Sequence, residues 1–272
     1  MDKIIIEPIT SMKNAFSVAG QNVVITGGNR GLGRGIAQAF AECGANVAIL
    51  CRNEASGNEA AEQLRLLGSH AIAVKCDVGD FDSVLRAKEV VEKEFDHIDT
   101  LVNNAGIDGK HGVFDDARLE EFKRVMNVNL DGVAAMIQVF GQWMMDEGRG
   151  GEIINISSIG GQAIGDPRAH PMPSYNASKA ALDHLTRHLA IVMGDYGIRV
   201  NSIAPGPTHS DLDAGLPPSI TEFIDVTMPM HRFGEPLEIG ALAVFLASPA
   251  AAQITGVVAN HDGGTMCVGL TF

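Results

Sequence analysis

Val23-Val24-Ile25-Thr26-Gly27-Gly28-Asn29-Arg30-Gly31-Leu32-Gly33 is the stretch that decides the fold. Branched apolar residues make a short buried strand. The glycines that follow let the backbone turn tightly and come close to a pyrophosphate. The residues after Gly33 take up helical spacing, so the loop opens a helix, whose free N–H groups and dipole favour an anion. A glycine-rich run has this meaning only with a strand before it and a helix after it, and both are here.

The same rhythm continues outward. Val47-Ala48-Ile49-Leu50, Ala71-Ile72-Ala73-Val74, Leu101-Val102, Ile153-Ile154-Asn155-Ile156, Val200-Asn201-Ser202-Ile203 and Val257-Val258-Ala259 are further short apolar runs. Between them, segments such as 59–67 and 83–95 carry apolar residues at helical steps. Strands that read as continuous apolar runs are covered on both faces, and their alternation with helices implies a parallel sheet. The expected fold is a single α/β domain, a doubly wound parallel sheet of about seven strands (Rossmann-type). Residues 1–20 form an N-terminal extension before it. The stretch 206–236 is irregular and proline-rich, follows the sixth strand, and reads as a substrate lid.

The chain has 272 residues and a net charge of −13. That charge repels phosphate backbones and argues against general nucleic-acid binding. Cys43, Cys51, Cys76 and Cys267 show no C-x-x-C spacing, which suits reduced thiols. The apolar run Ile4-Ile5-Ile6 is cut short by Glu7 and Pro8. It is too short for a signal peptide or a membrane span, so a soluble cytoplasmic protein is expected.

The loop spacing is T-G-x-x-x-G-x-G, and four further segments accompany it. They are Asn103-Asn104-Ala105-Gly106, Asn127-Val128-Asn129, Tyr175-Asn176-Ala177-Ser178-Lys179 and Pro205-Gly206. In this order they resemble the short-chain dehydrogenase/reductase family from about Val23 to Gly264. The resemblance implies a nicotinamide-dependent oxidoreductase that interconverts a secondary alcohol and a ketone.

Tyr175 and Lys179 stand at i and i+4 and share one helix face. A free tyrosine, with a pKa near ~10, is a poor base at neutral pH. A neighbouring ammonium and the positive ring of an oxidised nicotinamide favour the phenolate. By resemblance Tyr175 is the general acid/base, Lys179 also holds the nicotinamide ribose, and Asn129 holds a water beside the lysine. Ser158, three residues before Gly161, fits the family serine that hydrogen-bonds the substrate oxygen, with Ser157 as the other choice. No metal is expected. His184 and His188 have an i, i+4 spacing but lack the H-E-x-x-H pattern, so they read as structural or interface residues.

For the cofactor, the resemblance points to Gly27, Asn29, Arg30, Gly31, Leu32 and Gly33 in the loop. It adds Arg52, Asp77 and Val78 after the second and third strands, and Asn103, Ala105 and Gly106 after the fourth. Tyr175, Lys179, Pro205, Gly206, Thr208 and Ser210 complete the set. The place of the usual ribose-binding Asp is taken by Cys51, with Arg52 and Arg30 close by. Two guanidinium groups suit a 2′-phosphate, so the expected cofactor is NADP.

The substrate is left open between two classes. Extra residues between Ser158 and Tyr175, in 165–173, are similar to those of some sugar and polyol dehydrogenases. Phe223, Ile224, Val226, Met228 and Met230 would instead make an adaptable apolar wall for a hydroxysteroid. The rival from another class is a non-catalytic NADP-binding sensor or scaffold, though such proteins typically lose the tyrosine or the lysine. The family also implies a homotetramer, or a dimer, built on helices 119–145 and 175–193.

Overall fold

The computed structural model describes residues 3–6, 8–164, 172–209 and 222–268. Seven parallel strands form one sheet: β1 (Asn22–Thr26), β2 (Asn46–Cys51), β3 (Ala71–Lys75), β4 (Thr100–Asn103), β5 (Gly151–Ile156), β6 (Ile198–Pro205) and β7 (Val258–His261), in the order β3-β2-β1-β4-β5-β6-β7. This is the doubly wound Rossmann-type arrangement. The chain leaves β1 toward β2 and β3 on one side, and β4 to β7 fill the other. A crevice therefore opens beyond the carboxyl ends of β1 and β4, where such folds bind ligands.

Each strand feeds two cores. Val23 and Ile25 face a layer made by α1 (Gly31–Glu42), α2 (Glu54–Leu66) and α8 (Pro236–Ala247), with Phe40, Leu64 and Ile239 packed into it. Val24 faces the opposite layer of α3 (Phe81–Val91), the long helix after β4, and α7 (Pro173–Met193), with Val84, Met136, Phe140 and Leu182. The period of two along β1 is thus split between two apolar faces, which explains why the sequence reads as an unbroken run. Helices α1 and α8 lie so close that a Cβ on Gly240 would sit 2.6 Å from the Cβ of Ala39.

The helix expected at 119–145 has more structure than its pattern suggests. It comprises α4 (Glu120–Met126), a π-turn over Asn127–Asp131, α5 (Gly132–Met136), a second π-turn over Ile137–Gly141, and α6 (Gln142–Glu147). Arg118 and Leu119 lie before it with φ of 60° and 57°. The helices expected at 59–67 and 83–95 begin earlier, at Glu54 and Phe81, where Asn53 and Asp80 cap them.

The N-terminal extension runs along the end of the sheet opposite the crevice. Ile4 N donates to Asp195 O at 3.0 Å and Ala250 N to Ala15 O at 2.7 Å. Close to it, Glu152 and Arg199, register partners on β5 and β6, form a buried ion pair at 2.7 Å. Arg199 also donates to the carbonyls of Leu246 at 2.7 Å and Ile254 at 3.3 Å, anchoring the carboxyl end of α8. Among the described residues no helix is long and apolar enough to cross a membrane.

Candidate active site

The glycine-rich loop is braced from the other half of the sheet. Thr26 Oγ1 accepts from the N–H groups of Asn104 and Ala105, both at 3.0 Å. Asn104 Nδ2 donates to Thr26 O at 2.9 Å and to Gly27 O at 3.3 Å. A Cβ on Gly33 would lie 2.3 Å from Gly27 O and 2.4 Å from that same Nδ2, so only glycine permits the closure. Gly27 and Gly31 both have positive φ. No side chain caps the start of α1 at Arg30. Its first-turn N–H groups are left for an anion, which fits the pyrophosphate of a dinucleotide. Leu32 is half-buried at that turn.

The residues expected at the cofactor's ribose lie on this loop and at the end of β2. Asn29 Nδ2 donates to Ser56 Oγ at 2.8 Å, tying the loop to the first turn of α2. Arg30 and Arg52 are exposed, whereas Cys51 is buried with its thiol on Asn53 O at 3.1 Å. Desolvation pushes the Cys51 thiol up, which keeps it a neutral group. No carboxylate takes the position of Cys51. Asp77 is exposed and accepts from Gly79 N at 3.0 Å, and Val78 is buried beside it.

After β4, the two asparagines separate. Asn103 is buried and donates to Asn155 Oδ1 at 2.9 Å, so its side chain is committed inside the sheet. Its neighbour Asn104 is the loop brace, a role the motif did not reveal. A hydrogen-bonding side chain beside a glycine turn was the available signal. Ala105 and Gly106 follow at the crest of the crevice. A Cβ on Gly106 would lie 3.3 Å from Asn129 Oδ1 and 3.7 Å from Lys179 Nζ, which brings the fourth strand's loop, Asn129 and Lys179 together.

Asn129 sits in the first π-turn, fully buried. Its Oδ1 accepts from Ile107 N at 2.8 Å, and its Nδ2 donates to Ile107 O at 2.8 Å and Ser178 Oγ at 3.1 Å. The π-turn bulges the helix there, a feature frequent at functional sites.

Helix α7 presents Tyr175 and Lys179 on one face. Lys179 is 4% exposed, donates to Ile156 O at 2.7 Å, and lies 5.6 Å from the centre of the Tyr175 ring. Burial brings the Lys179 ammonium down to about 8, against the pull of Asp183. Burial raises the Tyr175 phenol, and the exposed Asp108 carboxylate adds to this, while a hydrogen bond with Ser158 acts the other way. The depression of the tyrosine expected from its lysine is therefore not built into the chain alone. Of the two serines, Ser158 meets Tyr175. Ser157 is buried, with its hydroxyl on Lys179 O at 3.3 Å.

Pro205 ends β6, and Gly206 N donates to His261 O at 3.0 Å. Thr208 Oγ1 donates to Gly206 O at 3.0 Å. The described ends of the segment expected as a lid are joined: Thr208 bridges Gly234, His209 N donates to Gly234 O at 2.8 Å, and Gly234 N to Pro207 O at 3.0 Å. Ser210 and most of the 165–173 insertion lie outside the described residues. The expected apolar wall is divided. Ile224 and Met228 are buried, and Val226 and Met230 are exposed. His184 and His188 are exposed, and among the described residues no group of three or more metal-ligating side chains occurs. All four cysteines are free thiols.

Comparison with known proteins agrees with this geometry. The family described as enoyl-(acyl carrier protein) reductase matches residues 27–266. Galactitol 2-dehydrogenase of Rhizobium johnstonii is 36% identical over 264 residues, covering 94% of this chain and 99% of the relative. An L-rhamnose 1-dehydrogenase (NAD(P)(+)) of a Sphingomonas species is 34% identical, covering 90% of this chain and 96% of the relative. A solved 7α-hydroxysteroid dehydrogenase, complexed with NADH and 7-oxo glycochenodeoxycholic acid, superposes with a TM-score of 0.87 at 31% identity, covering 94% of this chain and 98% of that one.

Proposed function

This chain belongs to the short-chain dehydrogenase/reductase family, and we propose that it is an NADP(H)-dependent oxidoreductase interconverting a secondary alcohol and a ketone, with Tyr175 as general acid/base. The observation that carries the reading is the α7 face, where Tyr175 is hydrogen-bonded with Ser158 and stands one turn from buried Lys179.

The chain's residues divide the work. The start of α1 holds the pyrophosphate, and Arg30 and Arg52 take the 2′-phosphate. Asp77, Val78, the main chain at Asn103 to Gly106, Pro205, Gly206, Thr208 and Ser210 line the rest of the cofactor. The nicotinamide, when bound, supplies or accepts the hydride. Ser158 and Tyr175 hold the substrate oxygen; in reduction Tyr175 delivers its phenolic proton to that oxygen, and in oxidation it takes one away. Lys179 holds the nicotinamide ribose and favours the phenolate. Asn129 fixes the loop that carries Ile107 beside them.

The substrate class favoured is a polyol or sugar. Asp108, exposed and close enough to Tyr175 to act on its phenol, would accept hydrogen bonds from neighbouring hydroxyls. The names of the galactitol and rhamnose relatives point the same way. A hydroxysteroid is the second reading, supported by exposed Val226 and Met230 on the lid at 206–236. A homotetramer is proposed on the exposed apolar residues Leu119, just before α4, and Ile191 and Val192 of α7. The free thiols suit a reducing cytoplasm. The test is a panel of galactitol, L-rhamnose and a 7α-hydroxysteroid with NADP and NAD, followed by absorbance of the reduced cofactor. Turnover of a polyol with NADP supports the reading. No turnover of any alcohol, with cofactor bound, favours a non-catalytic sensor.

A further inference from the structure

We propose that Asp183 is a positioning residue for the catalytic pair, the buried counter-charge that keeps Lys179 an ammonium beneath Tyr175. The role rests on the function proposed above.

Tyr175, Lys179 and Asp183 fall at i, i+4 and i+8 on α7, so Asp183 is attached one turn beyond Lys179 on the same buried face. Asp183 is 3% exposed. A carboxylate so deep needs donors, and the neighbouring strands provide them. Ser202 Oγ on β6 lies 3.2 Å from Asp183 Oδ1, and the Ser157 hydroxyl at the end of β5 is also hydrogen-bonded to the carboxylate. Each hydroxyl has another acceptor available, Asn155 O at 3.1 Å for Ser202 and Lys179 O at 3.3 Å for Ser157. Asp183 Oδ2 is buried without a hydrogen-bond partner. The fold thus retains a carboxylate that it solvates incompletely, which is costly unless its charge serves a neighbour.

That neighbour is Lys179. Its other contacts are neutral: the Ile156 carbonyl on β5 and the Tyr175 ring on α7. Burial brings the ammonium down to about 8, and the Asp183 charge opposes that desolvation. Asp183 itself is raised by burial and held back by Ser157, Ser202, Arg187 and Lys179. Arg187, on the exposed side of α7, is screened by water, whereas the interaction with Lys179 runs through the protein interior.

The experiment titrates Lys179 directly. Protein carrying 13C-labelled lysine is followed by NMR from pH 6 to 11, with the Lys179 Cε signal assigned by its loss in Lys179→Met. Asp183→Asn keeps the shape and removes the charge, and should lower the Lys179 midpoint by about one unit, a tenfold change. Ser202→Ala keeps the charge and should leave the midpoint in place. The alkaline limb of kcat/KM should move down with the midpoint in Asp183→Asn. If Asp183→Asn does not fold, Asp183→Ser goes through the same titration with the same expected shift. An unmoved midpoint in the charge-deleted variant overturns the proposal. The titration needs no substrate, so a protein that oxidises no alcohol yet shows the shift defeats the proposed function and not this coupling.

Discussion

The Lys179 ammonium donates to the carbonyl oxygen of Ile156 at 2.7 Å, from a position that is 4% exposed. One carbonyl does not replace the water such a group loses, which is why its proton affinity falls from 10.5 to about 8. The native state therefore binds this proton less tightly than the unfolded chain does. Lys179's contribution to stability is fully present above about 10.5 and is lost as pH falls through about 8. Below pH 8 the cost is about 3 kcal/mol. Relative to Lys179→Met, wild type should gain stability between pH 8 and 10.5. Urea unfolding across that range checks this, and parallel curves would contradict the burial.

Tyr175→Phe removes the proton and keeps the ring. The loss should lie in kcat, by about 10²–10⁴-fold, with cofactor binding nearly intact. The alcohol-oxidation rate of wild type should rise with pH through a value well below ~10 once the cofactor is bound, and the variant should lack that rise. Near-normal turnover by Tyr175→Phe would remove the tyrosine from the mechanism.

The two serines make a sharper test. Ser158 meets Tyr175, whereas Ser157 is buried against α7. Ser158→Ala should reduce kcat roughly 10–100-fold, as the loss of a hydrogen bond to charge developing on the substrate oxygen does. Ser157→Ala should affect kcat much less and appear mainly as a lower Tm. The reverse pattern would exchange their roles.

Cofactor choice should follow the end of β2. Cys51→Asp with Arg52→Ala puts a ribose-binding acid where the buried thiol stands and takes away one phosphate partner. Charged hydrogen bonds are worth about 1.5–3 kcal/mol each, so the NADPH-to-NADH ratio of kcat/KM should fall by roughly tenfold or more. A wild type that prefers NADH would refute the assignment before the variant is made.

At the far end of the sheet, Glu152 and Arg199 form a buried pair, with Asn201 Nδ2 donating to Glu152 Oε1 at 3.0 Å. Burial raises the Glu152 carboxyl, and Arg199 opposes it. Removing one partner strands the other charge. Glu152→Gln should cost about 3–5 kcal/mol, and Glu152→Leu with Arg199→Met should cost less than the two single changes together. Additive losses in denaturant unfolding would mean the pair is not coupled.

Much of this was legible without coordinates, because local rules carried it. Val23 to Gly33 announces a strand, a tight turn and a helix within eleven residues. The i, i+4 spacing of Tyr175 and Lys179 places both on one face in any helix. Helix bounds were less legible. Asn53 and Asp80 start their helices before the apolar pattern begins, because a cap is set by a side-chain oxygen reaching its own backbone rather than by burial.

Sequence alone determined the fold class and the family, since buried strands, turn glycines and motif spacing are local and ordered along the chain. Tertiary structure decided which of two adjacent like residues acts. Asn103 turns into the sheet and Asn104 braces the loop; Ser157 is buried and Ser158 meets Tyr175. Successive residues at a strand end point to opposite sides, so neighbours with the same chemistry receive different surroundings. Asp183 likewise reads from sequence as one more polar residue on a helix. Its burial against Ser202, nineteen residues away, exists only once α7 has docked on the sheet.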